Sequence, residues 1–554
     1  MRMTNKIMQN NSLYNINNNK ELTNKLSTQM STKKKLTRPS DDPVIAIRAL
    51  RLRSDVSQIT QFYERNAKDG ESWLKVTGDA LETTSEILKS MIGLCTQGAV
   101  KDFDAGNMAI VIAQLKELKN EFYSTGNVDY AGRYMFTGYR TDTPLTFTEN
   151  LSENPADPSY RNFEITEQLD VSAFDTINYT NIGDLKGVTK DNYDPVNDGV
   201  KEEEADITNS NIHRIRLSYD AIKADNTNKP TITMISEADK QAAAVNGTKP
   251  QETTLIAQGD IEVVSSAAVP KPHKTPYDYV LANPNKAVLI PETGELLIGE
   301  NLYNNNPSLS NMDAGTEMRI TYQKDSWKKG DMQPQHYFAC KDVTDPNKVI
   351  EYNHAEYENT ANNPPTIDKY IPCDKVTQFI EYDVGYNQRI RVNTTADEVF
   401  TMDMDRNIDD MENALAKLEE IEAIKKDLEK MMDGMEPGEA GYANLKASYD
   451  AAEKAHTYVR ENMQKMMEGL ITKTQKISDF TSLAITDNGT RASRLDLISN
   501  RLMTQKSTFE TLQSANEDID VTEVTVKLTS MDYSYQSALL ATGKILQNSL
   551  MNYI

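Results

Sequence analysis

Apolar residues return at alternating steps of four and three along residues 45–94: Ile45, Ala49, Leu52, Val56, Ile59, Tyr63, Trp73, Ala80, Ile87, Met91 and Leu94. Asn66, Gly70, Thr77 and Thr84 fill the remaining steps, so eleven of fifteen positions are apolar or aromatic. Such a seam predicts helix packed along its length. Ser40, Asp41 and Asp42 offer caps and Pro43 suits a first turn, which marks the helix start. Met108, Val111, Leu115, Leu118 and Phe122 predict a second helix with the same spacing.

The other end mirrors this pattern. Leu495, Ile498, Leu502, Phe509, Leu512 and Ile519 hold one helical phase; Leu528, Met531, Tyr535, Ala538, Thr542 and Ile545 hold another. The change near Ile519–Val524 predicts a bend or a change of neighbours. Residues 405–432 and 441–476 predict helices joined at Asp433-Gly434-Met435-Glu436-Pro437-Gly438.

Between the ends the period drops to two. Ile215, Leu217 and Tyr219 alternate with Arg214, Arg216 and Ser218; Met318, Ile320 and Tyr322 with Arg319 and Thr321; Ile390 and Val392 with Arg389, Arg391 and Asn393. Ala287–Ile290 and Glu295–Ile298 flank Pro291-Glu292-Thr293-Gly294 and predict a hairpin. Lys201–Asn211 and Glu237–Pro250 are expected to be surface loops. Sixteen of the 20 prolines fall in residues 151–400, so the middle cannot be long-helical. The expected fold class is α+β: long terminal helices forming a coiled-coil rod from both chain ends, with inserted β-rich middle domains.

The 554 residues carry a formal charge of -23, which argues against indiscriminate nucleic-acid binding. Residues 1–60 are nevertheless basic, with 11 Lys and Arg against 4 Asp and Glu. Cys95, Cys340 and Cys373 are far apart and odd in number, which excludes a disulfide framework. No stretch approaches the roughly 20 apolar residues of a membrane span. Met1–Lys20, rich in asparagine, lacks the apolar core of a signal peptide.

Little in the chain points to chemistry. The histidines, His213, His273, His336, His354 and His456, include no i, i+4 pair, and there is no HExxH. His336 and Cys340, with Cys373 downstream, make at best a partial metal site lacking a fourth ligand. GxGxxG, GxxxxGK[ST] and GxSxG are absent. No catalytic, cofactor-binding or metal-binding residue is therefore assigned. Lys33-Lys34-Lys35 with Arg38 has no interleaved aromatics, unlike a nucleic-acid patch. Asp55, Glu64, Asp69, Glu71 and Glu82 on the polar side of the first seam favour a partner helix over a membrane. Tyr277, Tyr279, Trp327 and Tyr337 could form glycan platforms, with packing the commoner role for dispersed aromatics.

Three segments carry a resemblance. They are Lys33-Lys34-Lys35-Leu36-Thr37-Arg38-Pro39-Ser40-Asp41-Asp42-Pro43; Gly132–Gly138 followed by Thr141-Asp142-Thr143-Pro144; and Arg494-Leu495-Asp496-Leu497, continued through Glu517-Asp518-Ile519-Asp520 to Leu550–Ile554. These resemble the flagellin superfamily. The second segment, together with Val384–Asn393, is similar to its hook–filament junction members rather than to filament subunits. The likeness covers about residues 1–147 and 376–554 and weakens across 151–375, where the chain is unusually long.

The resemblance implies a non-enzymatic adaptor without cofactor, located outside the cell at the flagellum. Its expected partners are hook-associated protein 1, flagellin, further copies in a ring, an export chaperone and the type III export apparatus, with neither nucleic acid nor membrane among them. Export by that route would need no cleavable signal peptide. Residues 1–42 would be a terminal assembly segment, disordered or helical, and 521–554 an assembly helix. Residues 43–147 and 401–520 would be the halves of the helical rod, and 148–400 outer β modules. A divergent flagellin, or a glycan-binding or enzymatic module on a flagellar scaffold, are the alternatives.

Overall fold

Asp42 opens the seam helix as its chemistry predicts. Its backbone is extended (φ -154°, ψ 101°) and its carboxylate accepts from the amides of Val44 and Ile45, with Pro43 in the first turn. The computed structural model describes residues 5–100, 105–200, 207–246, 248–359, 364–373 and 375–547. The Leu550–Ile554 end of the third motif, and the acidic run 201–206, lie outside them.

The helices are α1 (Asn5–Thr32), α2 (Pro43–Thr60), α3 (Lys68–Gly98) and α4 (Ala105–Thr125), with a π-helical segment, Gln61–Ala67, between α2 and α3. Four short helices, α5 (Glu237–Asn246), α6 (Pro276–Ala282), α7 (Glu300–Asn305) and α8 (Pro307–Ser310), lie among the strands. Then come α9 (Asp403–Met432), the 76-residue α10 (Tyr442–Glu517) and α11 (Val521–Gln547). The expected helix at 441–476 thus continues without a break to Glu517. The change of phase at Ile519–Val524 is a true interruption, with Asp520 capping Thr522 and Glu523.

The chain divides into two compact units. The smaller comprises Met1–Ser72, Glu381–Arg391 and Arg491–Ile554; the larger comprises Trp73–Ile380 and Val392–Thr490.

In the larger unit the seam is core. Trp73, Thr77, Ala80, Thr84, Ile87 and Met91 are all buried on α3, as are Met108, Val111, Leu115 and Phe122 on α4. Polar contacts fix the register of this apolar packing. Thr84 and Thr125 hydroxyls meet at 2.9 Å across α3 and α4. Lys119 and Lys116 pair with Asp405 (2.5 Å) and Glu412 (2.7 Å) of α9. Lys425 of α9 pairs with Glu453 of α10 at 3.2 Å, and Asn488 of α10 donates to the Leu74 carbonyl of α3 at 2.9 Å.

Two sheets follow. The five-stranded sheet runs β4 (Phe174–Asn181), β5 (Thr208–Arg216), β10 (Glu295–Ile298), β9 (Ala287–Ile290), β8 (Ile261–Val263), antiparallel except for the β8–β9 pair. The six-stranded sheet is antiparallel throughout: β13 (Ile350–Tyr352), β12 (Ala339–Asp342), β3 (Phe163–Leu169), β11 (Glu317–Lys324), β6 (Thr231–Ile235), β7 (Thr253–Ile256). Small pairs are β1 (Asp129–Tyr130) with β2 (Arg133–Tyr134), β14 (Ala355–Asn359) with β15 (Thr366–Tyr370) and, in the smaller unit, β16 (Glu381–Gly385) with β17 (Gln388–Arg391).

Several expectations need correction. Glu237–Asn246 is a helix, because Ser236 caps it and its alanines favour helix over loop. Thr208–Asn211 belongs to β5. Of the arginines that alternate with apolar residues, Arg214 and Arg319 are buried and held by carboxylates, Arg214 by Glu295 at 2.5 Å and Arg319 by Glu317 at 2.7 Å, whereas Arg389 is exposed. Trp327 is core, ringed by Phe147, Phe163 and Tyr219 at 5.0–5.5 Å, and Tyr277 stacks on Tyr179 at 4.9 Å. Those two aromatics are packing groups rather than platforms.

Two predictions follow from the β region. Gly294 has φ +62° in the β9–β10 turn, and a Cβ there would strike the Tyr219 carbonyl. Gly294→Ala should therefore lower stability by more than about 1 kcal/mol in urea unfolding. Glu167 is wholly buried between Tyr322 and Ser218, and burial pushes its carboxyl up to about 7. A raised pKa gives stability that is complete below the ordinary glutamate value and lost as pH rises through about 7. Wild-type stability should fall by up to about 1.4 kcal/mol per pH unit across that window, and this component should vanish in Glu167→Gln.

Candidate functional site

The first segment that carried the resemblance and the described part of the third converge in the smaller unit. There α1 packs against α11, burying Ile16, Leu26 and Val524 along with the Thr542 side chain. The first motif links α1 to α2, and the Glu517–Asp520 stretch links α10 to α11. These two linkers are bonded to each other. Lys35 donates its amide to the Glu517 carbonyl at 2.7 Å, and Ile519 donates to the Lys33 carbonyl at 3.2 Å. Lys33 takes φ +56° to make that exchange.

Charge locks the junction. The Arg53 guanidinium, on α2, grips Glu517 through both Nε (2.7 Å) and Nη2 (2.6 Å). Lys34 Nζ bonds Asp518 at 2.6 Å and lies 3.4 Å from Glu517, while Lys35 Nζ reaches the Ala515 carbonyl at 2.5 Å. The Glu517 side chain is only 5% exposed. The Arg53 hydrogen bonds, more than any other contact, hold its carboxyl below the usual glutamate range. A bidentate grip of this kind fixes orientation as well as charge. The basic run that sequence alone leaves as a patch or tail thus has definite partners 480 residues away. Nothing local in the sequence could have named them.

A second anchoring point lies at the π-helical segment. Asn66 donates to the Asp383 carbonyl at 2.7 Å, and the Tyr382 hydroxyl donates to Asp69, so the β16–β17 hairpin is bound to the helix there. Arg501 of α10 bonds Gln388 on the hairpin's other strand, and Lys506 pairs with Glu64 at 2.5 Å. The lapse of apolar seam positions at Asn66 and Gly70 was the available signal. A π segment shifts the helical phase and commonly marks such a site.

The glycine- and aromatic-rich motif lies in the larger unit and acts in packing. Met135 and Phe136 are buried, Phe136 edge-on to Phe400 at 5.2 Å, and Arg133 covers the Trp73 ring at 4.9 Å. The His336, Cys340 and Cys373 set does not converge: His336 bonds Thr143 at 3.2 Å, and Cys373 lies 3.8 Å from Arg319. Among the described residues no group of three or more potential ligands could hold a metal ion, and no helix is long and apolar enough to cross a membrane.

The surface of these helices is unusual for an isolated chain. Val44 (68%), Ile47 and Leu50 are exposed on α2, Leu497 (73%) and Leu512 on α10, and Val526, Tyr533 and Leu540 on α11. On α2 no residue is fully buried, and these helices leave apolar side chains open beside those they cover.

Residues 3–141 match the family described as the bacterial flagellin N-terminal helical region. More particularly, the chain is similar to flagellar hook-associated protein 3. It is 30% identical over 149 residues to that protein of Salmonella typhimurium and 27% identical over 251 residues to that of Escherichia coli. The first match spans 26% of this chain and 45% of the relative; the second spans 44% and 71%. Among solved structures, FlgL of Xanthomonas campestris (12% identity, TM-score 0.27, 84% of this chain and 99% of that one) is similar only at a level that does not define the fold. So is the flagellar junction protein FlgL of Legionella pneumophila (10%, TM-score 0.23, 81% and 99%).

Removing the Glu517 carboxylate should loosen both terminal helices together. In Glu517→Ala, which forfeits about 1–2 kcal/mol of charged hydrogen bonding, amide exchange in Asn5–Thr32 and Val521–Gln547 should quicken at least about tenfold, with α4 and α9 unchanged. The same loss should appear in wild type as pH falls through the depressed Glu517 pKa, since a lowered carboxyl contributes its full stability above its ordinary value and loses it as pH falls through the depressed one.

Proposed function

We propose that this chain is a structural adaptor of the bacterial flagellum that joins the hook, through hook-associated protein 1, to the flagellin filament. The observation that carries the proposal is the open apolar stripe on α2, α10 and α11. Apolar surface of that extent is out of place on a solitary soluble protein and marks surfaces that other chains cover. Helices already paired by Glu517 and its partners offer that stripe in a fixed geometry, as assembly into a ring of copies requires.

In this reading the protein is not an enzyme and takes no cofactor. It acts outside the cell, reaching the flagellar tip unfolded through the type III export route without a cleavable signal, with a chaperone shielding the open stripes beforehand. The terminal segments 1–42 and 521–554 are its assembly elements, 43–147 and 401–520 the two halves of a helical rod, and 148–400 its outward β modules. Neither nucleic acid nor membrane is a partner: the basic run is engaged by Glu517, Asp518 and Ala515, and the open stripes are helical seams suited to other helices.

Deleting Val521–Ile554 should leave a soluble chain whose larger unit is still folded, yet cells carrying it should build hooks without filaments. Normal filaments on those cells would refute the adaptor role. Purified wild-type chain added to hooks should form a short cap in electron micrographs; growth into long filaments would instead identify a filament subunit.

A further inference from the structure

In the larger unit a slot of about 240 Å³ lies between β4 and the helices α9 and α10. Ile177, Met411, Ala414, Val459, Met463 and Leu470 give it apolar walls. The arginine and carboxylates that also line it are paired with one another, Arg214 with Glu295, Asp175 and Asp410. An apolar cavity of about 150 Å³ is enough to hold benzene, so a ligand built on one ring fits here.

Lys417 of α9 lines this slot, half-buried. Its Nζ lies over the stacked Tyr179 and Tyr277, 4.7 Å and 5.0 Å from their ring centres. Among the described residues the amine has neither hydrogen bond nor ion pair, yet it keeps contact with solvent. The charged groups facing it are Glu295 of β10, Asp278 of α6, Glu420 of its own helix, and Lys186. Glu295 accepts from the Tyr277 hydroxyl at 2.7 Å and Asp278 from that of Tyr179 at 3.1 Å, so both carboxylates are engaged by the tyrosines rather than by the amine. Burial, more than any of these charges, lowers the Lys417 pKa below the ordinary lysine value. A desolvated lysine of this kind has more of the free amine, which is the nucleophile. The surrounding carboxylates oppose an anionic ligand, whereas a neutral carbonyl meets no such barrier.

We propose that Lys417 captures a small aldehyde with an apolar body in this slot, as an imine. The amine nitrogen attacks the carbonyl carbon, the carbonyl oxygen leaves as water with the two amine protons, and a C=N bond takes its place. Protonation from solvent gives an iminium, a cation that the tyrosine faces stabilise as they do the ammonium. The apolar body of the aldehyde lies against Met411, Met463 and Leu470.

The test treats the full chain with limiting benzaldehyde and cyanoborohydride at pH 7 and maps the labelled peptides by mass spectrometry. Cyanoborohydride delivers hydride to the iminium carbon and fixes the adduct as a secondary amine. Lys417 should be labelled at least about tenfold faster than the exposed Lys329 and Lys446. Glyceraldehyde, small and polar, should show much less of this preference, and Ala414→Leu, which narrows the slot, should abolish it for benzaldehyde. Should Ala414→Leu fail to fold, the ratio of benzaldehyde to glyceraldehyde labelling in wild type carries the comparison. Labelling of Lys417 no faster than that of the exposed lysines would show an amine that only packs on the tyrosines. A preference equal for both aldehydes, or undiminished in folded Ala414→Leu, would show that the slot takes no part. Either result overturns the proposal.

Discussion

The end of α10 depends on a single buried carboxylate. A helix terminus leaves its last carbonyls without partners, and here the carbonyls of Glu517 and Ala515 are capped by Lys35 from the opposite end of the chain. The Glu517 side chain is taken up by Arg53 at the same point. Backbone and charge thus meet where the 76-residue helix stops and α11 begins in a new phase. Without that meeting, α1 and α11 would have only a thin apolar seam, Ile16, Leu26 and Val524, to repay the entropy of ordering two long helices. An exposed salt bridge contributes little to stability. This one matters because the carboxylate is buried and the backbone bonds beside it depend on the same placement.

A comparable constraint acts in the larger unit. The Ile212–Arg216 half of β5 is largely buried, so its arginines must be neutralised where they lie. Arg214 is held by Glu295, Asp175 and Asp410, three carboxylates from two strands and a helix. Burial alone would raise the Glu295 carboxyl; Arg214 and Arg216 outweigh it and hold it down at about 2. Buried charge of this kind contributes little net stability, but breaking one partner leaves the others stranded. It therefore ties the sheet to α9 in one specific arrangement, which apolar packing by itself would specify less sharply.

What the sequence made legible was whatever repeats locally. The 3.5-residue seams located α3, α4 and the phase change after Ile519; the proline distribution confined the strands to the middle; the Pro291–Gly294 turn placed the β9–β10 hairpin. What was not legible shares one cause. The alternation of Arg214 and Arg216 with apolar residues marks a strand but does not name their partner, because Asp410 lies nearly 200 residues on. Lys33, Lys34 and Lys35 look like an unspecific patch until Glu517 and Asp518 are brought beside them. The Glu237–Asn246 segment is acidic enough to read as loop, yet its alanines and the Ser236 cap favour helix. Local period is visible in one dimension, whereas the satisfaction of charge depends on contacts formed only in the folded chain.

This division also explains why the assembly surface was readable and its consequences were not. A seam that shows apolar residues on more faces than its own chain can cover is an incomplete core. On α2 the inner positions Ile45, Ala49 and Leu52 are only half-buried while Val44, Ile47 and Leu50 stand open, so the helix gains less from folding than α3, whose seam is buried from Trp73 through Met91. At about 25 cal/mol per Å² of apolar surface, covering those positions would add stability to the smaller unit. Neighbouring copies could supply that surface and the unit's own residues could not, so its order should rise with assembly. On the adaptor reading proposed above, the Glu517 junction would set the geometry in advance and surrounding subunits would complete the core.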